Sequence, residues 1–272
     1  MNEIKYPLRF SEDPIKYSYC TCNFYTGCNN RCEYCCCIDI LKDRWKSQVR
    51  LLYKSKKEAL QRFKKQVDEN KEKLQKYGIF FSLITDPLLP STKDLTYKAI
   101  GYCLENSIPF KILTKCTDWK NDDFLLKYPK DKKHLAHFGF SLTGEDRFET
   151  GASTNSERIE LMKNLYNNGF KTWISAEPII DVYSTIKVLI ESDDHYYMIR
   201  FEVLSPAKYK SPDLSPIYSK TRLKELYRWA NDNAKNKLMY WGDNFLLRSG
   251  LKREETNSTK TGDLIIELHE KH

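Results

Sequence analysis

Short apolar runs alternate with longer stretches of mixed polarity along most of the chain. Each apolar run has the length of a buried strand, and several are followed directly by glycine or a charged residue. The runs predict strands over residues 17–24, 79–84, 110–114, 137–142, 171–176, 196–203 and 237–241, and a last strand or a tail at 263–268. The stretches between them predict helices over 54–77, from a Ser91 or Thr92 cap to 106, from a Ser156 cap to 168, and over 182–192 and 221–234.

This alternation predicts the fold class. Strands and helices that alternate at least six times form a parallel sheet covered by helices. A curled barrel of six units accounts for the pattern, whereas an eight-unit barrel would need more chain at these spacings. We therefore expect an α/β protein with a partial, TIM-like (β/α)6 barrel.

Polar residues at the carboxyl ends of the predicted strands are the first candidates for a site, because barrels of this kind carry their chemistry there. They are Thr85, Asp86, Lys115, Ser141, Thr143, Ser175, Glu177, Glu202 and Asp243.

The length of 272 residues permits one large domain, and no linker-like run interrupts it. We expect a single domain over 1–272, with a core over about 17–243 and a C-terminal extension over 244–272. No apolar run approaches the length of a membrane span, and the start has no apolar signal core. With nine cysteines, these features predict no membrane partner and a reducing, cytoplasmic location.

The net charge of +8 comes largely from residues 54–76. A mild basic excess suits an anionic ligand such as a nucleotide. Because glutamate is interspersed with lysine at helical spacing there, a solvated amphipathic helix is favoured over a nucleic-acid-binding stripe. A nucleic-acid polymer is thus an open but less favoured partner.

Three cysteines near the N-terminus form the most informative motif. Cys28, Cys32 and Cys35 have a C-x3-C-x2-C spacing. A short loop of this kind can place three thiolates on one face of a [4Fe–4S] cube and leave the fourth iron open to a chelating ligand. The amino and carboxylate groups of S-adenosylmethionine (SAM) are such a ligand. The motif, with Tyr34 before its last cysteine, resembles the signature of the radical SAM superfamily.

Two other uses of these cysteines compete with a cluster. A zinc site usually has a second closely spaced pair, whereas Cys103 and Cys116 stand alone. Disulfides suit small secreted domains, whereas this chain is long enough to bury a core. The motif therefore favours the cluster, then zinc, then disulfides.

Four more cysteines flank the motif. Cys20 and Cys22 lie in a predicted strand, where they are buried thiols, spare ligands or free cysteines. Cys36 and Cys37 follow Cys35 too closely to bind the same cube, and we expect them to be structural.

The strand-end residues match the chemical groups of SAM. Its amino group needs an acceptor, which Asp86 supplies, and its carboxylate needs a cation, which Lys115 supplies. Ser141 and Thr143 offer hydroxyls to the ribose. Each residue alone has a structural alternative, such as a turn carboxylate or a rim lysine. Their combination on successive strand ends favours a site, since a lysine that ends an apolar strand is costly without an anionic partner.

Five sequence blocks resemble the spore photoproduct lyase-like branch of the superfamily and occur in its order, between roughly residues 17 and 181. They are Asn23-Phe-Tyr-Thr-Gly-Cys28, Leu83-Ile-Thr-Asp-Pro-Leu88, Ile112-Leu-Thr-Lys115, Gly139-Phe-Ser-Leu-Thr143 and Ala176-Glu-Pro-Ile-Ile180. The resemblance implies a partial (β/α)6 barrel, one [4Fe–4S] cluster, and flavodoxin or ferredoxin as electron donor.

The same resemblance implies roles for the matching residues. Thr85 and Asp86 would contact the SAM amino group. Lys115 would contact its carboxylate and Ser141 its ribose, with Arg158 near SAM.

One position departs from the spore photoproduct lyases. These enzymes carry a hydrogen-donating cysteine directly before the residue pair that matches Thr85 and Asp86, and Ile84 takes its place here. The product radical of thymine-dimer repair would lack its donor. DNA repair is therefore the alternative function, and a small nucleotide-like substrate is preferred.

The size and the Lys-, Asn- and Tyr-rich composition resemble the queuine lyases of gut anaerobes, which release queuine from queuosine 5′-phosphate. The resemblance implies a lyase in which a 5′-deoxyadenosyl radical abstracts a substrate hydrogen, from a ribose carbon, and labilises the C–N glycosidic bond. A non-enzymatic zinc or iron–sulfur binding module is a further alternative.

Such a substrate needs carboxylates for its base, cations for its phosphate and an aromatic side chain for stacking. The candidates are Glu177, Asp181, Glu145, Asp243, Arg200, Lys208, Lys210, Arg248, Trp241 and Tyr240. Glu177 is at the same time a candidate for contact with SAM.

Overall fold

The computed structural model describes residues 6–15, 17–41, 48–204 and 218–258. The predicted element at 263–268 and the candidates Lys208 and Lys210 lie outside these ranges. The strands are β1 (Leu8–Ile15), β2 (Ser18–Cys22), β3 (Tyr25–Thr26), β4 (Arg50–Leu51), β5 (Ile79–Phe81), β6 (Phe110–Thr114), β7 (Ala136–Ser141), β8 (Lys171–Ile179), β9 (Met198–Val203) and β10 (Leu238–Trp241). The helices are α1 (Cys36–Leu41), α2 (Lys56–Glu69), α3 (Lys71–Tyr77), α4 (Lys93–Glu105), α5 (Asp123–Leu126), α6 (Asn155–Asn167), α7 (Val182–Glu191), α8 (Lys220–Asn233) and α9 (Asp243–Ser249).

Eight strands form one sheet in the order β1-β2-β5-β6-β7-β8-β9-β10. All neighbours from β2 to β10 pair in parallel, and β1 pairs with β2 antiparallel. The predicted α/β class and open barrel are confirmed. The parallel part has seven strands among the described residues, since β2 precedes six further strand–helix units. The sequence did not predict β1 or the separate two-stranded sheet of β3 and β4.

The two faces of the sheet have different neighbours, as the alternation of side chains along each strand requires. On β7, Phe138 and Phe140 belong to the large core that also contains the buried residues of the helices. Residues on the opposite face, such as Phe80 and Trp173, form a second and smaller apolar cluster. We refer to these as the outer and the inner face of the sheet.

Contacts across the inner face show that the sheet is curled. The Tyr17 ring, directly before β2, stacks on Phe80 with 4.9 Å between centroids and lies 6.1 Å from the Trp173 ring on β8. Three strands separate β2 from β8 in the sheet order. Because a flat sheet would hold their side chains far apart, these contacts require a partial barrel.

Local capping explains where the helices differ from their predictions. The predicted helix at 54–77 divides at Asn70 into α2 and α3. Thr154 rather than Ser156 caps α6, and it forms a capping box with Glu157. Thr92 stands at the start of α4, but its hydroxyl donates to the Asp86 carbonyl at 2.9 Å instead of capping the helix.

The single-domain division stays a prediction. No helix in the described ranges combines the length and the apolar character that a membrane crossing requires.

Substitution of Gly139 on β7 tests how closely the side chains of the inner face pack. A Cβ at this position would lie 2.2 Å from Trp173 Cε2, and Trp173 is fully buried. We expect Gly139→Ala to lower the free energy of unfolding by about 1–3 kcal/mol, as overpacking does. Urea titration of the apoprotein measures this change.

The matched control is Gly101→Ala in α4, where no atom lies within 4 Å of an added Cβ. That substitution should stabilise the protein by about 0.5–1 kcal/mol, because alanine is the better helix former. Equal stability of the two variants would contradict the close approach of Trp173 to β7.

Candidate active site

The cysteine motif forms a loop between β3 and α1. Cys28, Cys32 and Cys35 are all free and half-buried. The loop bends tightly, since the Cys35 amide donates to the Cys32 carbonyl at 3.2 Å and Arg31 adopts a left-handed conformation with φ 51°. The three predicted ligands therefore lie on one short, partly accessible loop.

The three thiols have different electrostatic environments. Burial raises the pKa of Cys28 to about 12 and that of Cys32 to about 11. A hydrogen bond with the Cys37 thiol outweighs burial at Cys35 and lowers its pKa to about 7. Lys115 lowers the pKa values of Cys32 and Cys35, so this lysine lies close to the loop.

The other cysteines near the motif have structural surroundings. Cys20 and Cys22 are buried in β2, in the main core, which selects the strand-thiol interpretation. Cys37 is buried at the start of α1, and its sulfur lies 3.6 Å from the Leu83 carbonyl oxygen. Among the described residues, no group of three or more His, Cys, Asp or Glu side chains is arranged to hold a metal ion.

The Asp86 carboxylate forms hydrogen bonds both with the cysteine loop and with the end of β6. Its Oδ1 accepts from the Leu88 amide at 3.0 Å and the Thr114 hydroxyl at 2.8 Å. Its Oδ2 accepts from Asn30 Nδ2 at 2.9 Å and the Lys115 amide at 2.8 Å. Four protein donors thus already satisfy the carboxylate that was expected to bind the SAM amino group.

The neighbouring Thr85 offers a different acceptor. Its hydroxyl is buried and has no hydrogen-bond partner within the protein. A buried hydroxyl of this kind is costly unless a ligand or water satisfies it. The predicted contact of this residue pair with the SAM amino group stays a prediction, and Thr85 has the unused atom for it.

Lys115 and Ser141 come together as predicted from the strand ends. Lys115 Nζ donates to Ser141 Oγ at 2.6 Å, and Ser141 Oγ also donates to the Glu177 carbonyl at 3.4 Å. Burial lowers the pKa of Lys115, while nearby Cys32 and Asp86 raise it. A cation and a hydroxyl therefore stand side by side at the carboxyl ends of β6 and β7.

Arg158 and Thr143 lie in the same region but are already engaged. The buried Arg158 guanidinium donates to the Ser153 carbonyl at 2.8 Å, to the Ser141 carbonyl and to a carboxylate described below. The Thr143 hydroxyl accepts from the Glu145 amide at 3.2 Å. In this conformation both residues shape the loop after β7, and their predicted contact with SAM stays a prediction.

Glu149 is the residue that sequence reasoning missed. Its fully buried carboxylate accepts from the Tyr34 hydroxyl through Oε1 and from Arg158 through Oε2. Lys115 Nζ lies 3.8 Å from Oε1. Its backbone forms a bridge with that of Cys32. No spacing in the sequence distinguishes Glu149 from the other acidic residues of this loop, so its role appears only in three dimensions.

A second polar group occupies the inner face beside this site. Glu177 accepts from the Tyr17 hydroxyl and pairs with Arg200, whose Nε is 3.1 Å from Glu177 Oε1. The Arg200 guanidinium lies 4.3 Å and 4.5 Å from the ring centroids of Tyr17 and Tyr240. Ser175, the register partner of Arg200, is fully buried with an unpartnered hydroxyl.

The structure does not bring the remaining acidic and aromatic candidates into this group. Asp181 caps α7, Glu145 accepts from Ser184 at 2.7 Å, and Asp243 pairs with Arg253 at 2.5 Å. Trp241 points to the outer face and stacks on Phe201 with 4.1 Å between centroids, so it is not the predicted stacking residue.

Glu202 lies close enough to Glu177 to be affected by its charge, but backbone amides engage its carboxylate. Burial raises the pKa of Glu202, and its carboxylate accepts from the Val203 and Phe245 amides at 2.8 and 2.9 Å. The Arg248 guanidinium lies 6.0 Å from the Tyr218 ring centroid.

The donor set fits an iron–sulfur cluster with SAM. Three half-buried free thiols on one loop match three ligands of a [4Fe–4S] cube, and Lys115 and Thr85 flank that loop with a cation and an unpartnered hydroxyl. These residues would hold a carboxylate and an amino group close to the open iron.

Selective alkylation tests the electrostatics of the loop. In the apoprotein at pH 7.5, iodoacetamide should modify Cys35 before Cys28 and Cys32, because only its pKa lies near that pH and the thiolate is the nucleophile. The rate should fall as the pH drops through about 7, where the Cys35 thiolate becomes protonated. Peptide mass spectrometry identifies the modified residue.

Cys37→Ala should slow this reaction, because it removes the hydrogen bond that lowers the pKa of Cys35. Cys103→Ala, which removes a buried thiol of α4, should leave the rate unchanged. Earlier modification of Cys28 would be inconsistent with these environments.

Comparisons with known proteins agree with this geometry. The model of the Radical SAM superfamily matches residues 22–202. A protein of Methanocaldococcus jannaschii named MJ0683 is 28% identical over 176 residues, which cover 62% of this chain and 63% of the relative.

Two solved structures resemble the chain in fold. A spore photoproduct lyase variant with bound AdoMet and dinucleoside spore photoproduct has a TM-score of 0.52 at 15% identity, over 90% of this chain and 64% of that one. Streptococcus suis SuiB bound to its precursor peptide SuiA has a TM-score of 0.56 at 15% identity, over 92% of this chain and 52% of that one. The chain spans less than two thirds of each of these relatives. It belongs to the radical SAM superfamily, the enzymes that bind a [4Fe–4S] cluster and SAM.

Proposed function

We propose that the protein is a radical SAM lyase that releases queuine from queuosine 5′-phosphate by cleavage of the C–N glycosidic bond. The observation that carries the proposal is the buried Glu177–Arg200 pair between two tyrosine rings, next to Ser141. A nucleotide needs an acceptor for the N–H edge of its base, a cation for its phosphate and an aromatic surface. This group supplies the carboxylate and the cation beside Lys115 and Ser141, and two tyrosine rings orient the cation.

The cofactor residues have separate tasks in this proposal. Cys28, Cys32 and Cys35 would hold the cluster, and Lys115 would bind the SAM carboxylate. The Thr85 hydroxyl would accept from the SAM amino group. When bound, the cluster and SAM supply one-electron chemistry that abstracts a hydrogen atom from the substrate. A flavodoxin or ferredoxin would be the electron donor.

The substrate residues orient the nucleotide. The Glu177 carboxylate would accept from the base, and the Arg200 guanidinium would attract the phosphate. Tyr17 and Tyr240 contact the Arg200 guanidinium with their rings and so fix the direction of this cation. Ser175 has a buried hydroxyl that still lacks a partner, which suits a polar substrate atom.

Buried apolar side chains line one side of this site. Phe80, Trp173, Met198 and Leu238 close the inner face below the polar group, and all are buried. A dry site protects a reactive radical from side reactions and strengthens the electrostatic contacts of the polar groups.

Iron binding tests the cofactor part of the proposal. After anaerobic reconstitution, Cys35→Ser should lose most of its iron and acid-labile sulfide, because an alcohol is a poor ligand for the cluster. The matched control is Cys36→Ser, which alters the adjacent half-buried thiol and should keep the iron content of the natural protein. Equal iron in both variants would remove Cys35 from the ligand set.

Product analysis tests the reaction. With dithionite, SAM and queuosine 5′-phosphate, the reconstituted protein should form 5′-deoxyadenosine and free queuine, both detected by mass spectrometry. 5′-Deoxyadenosine without queuine would overturn the substrate and direct attention to other nucleotides and to dimer-containing DNA. Neither product from a protein with a formed cluster and bound SAM would favour a binding module.

Glu177→Gln separates substrate recognition from SAM cleavage. It keeps the side-chain volume but removes the charge that pairs with Arg200. We expect queuine formation to fall about ten-fold or more, since a hydrogen bond to a charged group contributes about 1.5–3 kcal/mol. 5′-Deoxyadenosine formation without substrate should change little, which the same assay measures.

A further inference from the structure

We infer that Glu149 is a positioning residue that fixes the distance between the cysteine loop and Lys115. Its carboxylate contacts Tyr34, one residue before Cys35, and faces Lys115 at 3.8 Å. Among the described hydrogen bonds and ion pairs, Glu149 is the residue of the cofactor site that contacts both Tyr34 and Lys115. The inference concerns SAM binding and is independent of the substrate proposed above.

The backbone around Glu149 already ties its segment to the cysteine loop. The Glu33 amide donates to the Phe148 carbonyl at 3.0 Å, and the Gly151 amide donates to the Asn30 carbonyl at 3.1 Å. A Cβ at Gly151 would lie 2.1 Å from the Asn29 carbonyl oxygen, so the two segments pack as closely as glycine permits. The position of the Glu149 Cα relative to the loop is therefore fixed.

The segment that carries Glu149 also contacts Lys115. The Ser153 amide donates to the Lys115 carbonyl at 3.1 Å, which places both ends of the Lys115 residue, backbone and ammonium, beside the segment that carries Glu149. The segment that carries Glu149 therefore connects the cysteine loop to Lys115.

The two cations near Glu149, Arg158 and Lys115, lie at different distances from its carboxylate. Arg158 contacts the Glu149 carboxylate directly, whereas Lys115 Nζ is too far from it for a hydrogen bond. Ser141 Oγ accepts one of the three ammonium protons of Lys115. Lys115 thus keeps donors for the carboxylate of SAM, while Arg158 compensates Glu149.

A purely electrostatic role of Glu149 predicts the opposite result from a positioning role. A negative charge near Lys115 repels the SAM carboxylate, so its removal alone would tighten SAM binding. Loss of a positioning contact would weaken SAM binding, because Tyr34 and Lys115 would no longer hold one geometry. The sign of the change in SAM affinity separates the two.

The test measures the dissociation constant of SAM for anaerobically reconstituted protein by equilibrium dialysis. Tyr34→Phe removes one hydroxyl and no charge, and we expect it to raise the constant about ten-fold without loss of iron. The matched control is Tyr97→Phe, since the Tyr97 hydroxyl donates at 2.8 Å to Asp122, which pairs with Lys93 at 2.6 Å. Tyr97, Asp122 and Lys93 lie outside the site, so the Tyr97→Phe protein should bind SAM with the affinity of the natural protein.

Glu149→Gln keeps the side-chain volume, and it too should weaken SAM binding, with Asp122→Asn as its control. In the double variant, Tyr34→Phe should add little to the effect of Glu149→Gln, because the two residues act through one contact. Unchanged affinity in Tyr34→Phe, or tighter binding in Glu149→Gln, would overturn the inference.

Amide hydrogen exchange gives a readout without any cofactor. In the apoprotein, Tyr34→Phe should speed exchange in residues 28–35, and Tyr97→Phe should not. This measurement keeps the inference testable even if Glu149→Gln does not fold. Equal exchange of the cysteine loop in both tyrosine variants would count against a role for the Tyr34–Glu149 contact.

Discussion

Two buried carboxylates must find their hydrogen-bond donors within the protein, and this requirement organises the site. A carboxylate without water is costly unless protein donors satisfy it. Asp86 accepts four hydrogen bonds, and those from Asn30, Thr114 and Lys115 join the cysteine loop to the end of β6. Glu149 draws Tyr34 of the same loop to Arg158 of α6. The cysteine loop is therefore held from two sides, by the end of β6 and by the segment of Glu149 with α6.

The curl of the sheet provides the second condition for function. Alternation along each strand sends apolar side chains outward to the helices and a mixed set inward. Because the sheet curls, Tyr17 before β2 reaches Glu177 on β8 and Arg200 on β9. Residues that are far apart in the sequence and in the sheet order thus form one enclosed polar group beside Lys115 and Ser141.

Sequence reasoning identified residues by type and by position at strand ends, and this was sufficient for Lys115 and Ser141, which contact each other. The polar atoms of Asp86, Thr143 and Arg158 are engaged by the protein, and their predicted contacts with SAM stay predictions. A strand-end rule states where a side chain lies, but it does not state which partners compete for it. For the same reason Trp241, adjacent to Tyr240, was proposed as a stacking residue although alternation places it on the outer face.

The sequence by itself determined the elements whose causes are local. Apolar runs, caps and the cysteine spacing are properties of short segments, and they determined the alternating α/β order, the cysteine loop and the superfamily. The tertiary structure alone decided the role of Glu149, the Glu177–Arg200 pair and the division of the inner and outer faces. Each of these depends on contacts between segments that are distant in the sequence. Such contacts form only when the chain packs, because packing sets the strand pairing, the curl of the sheet and the partners of each buried donor.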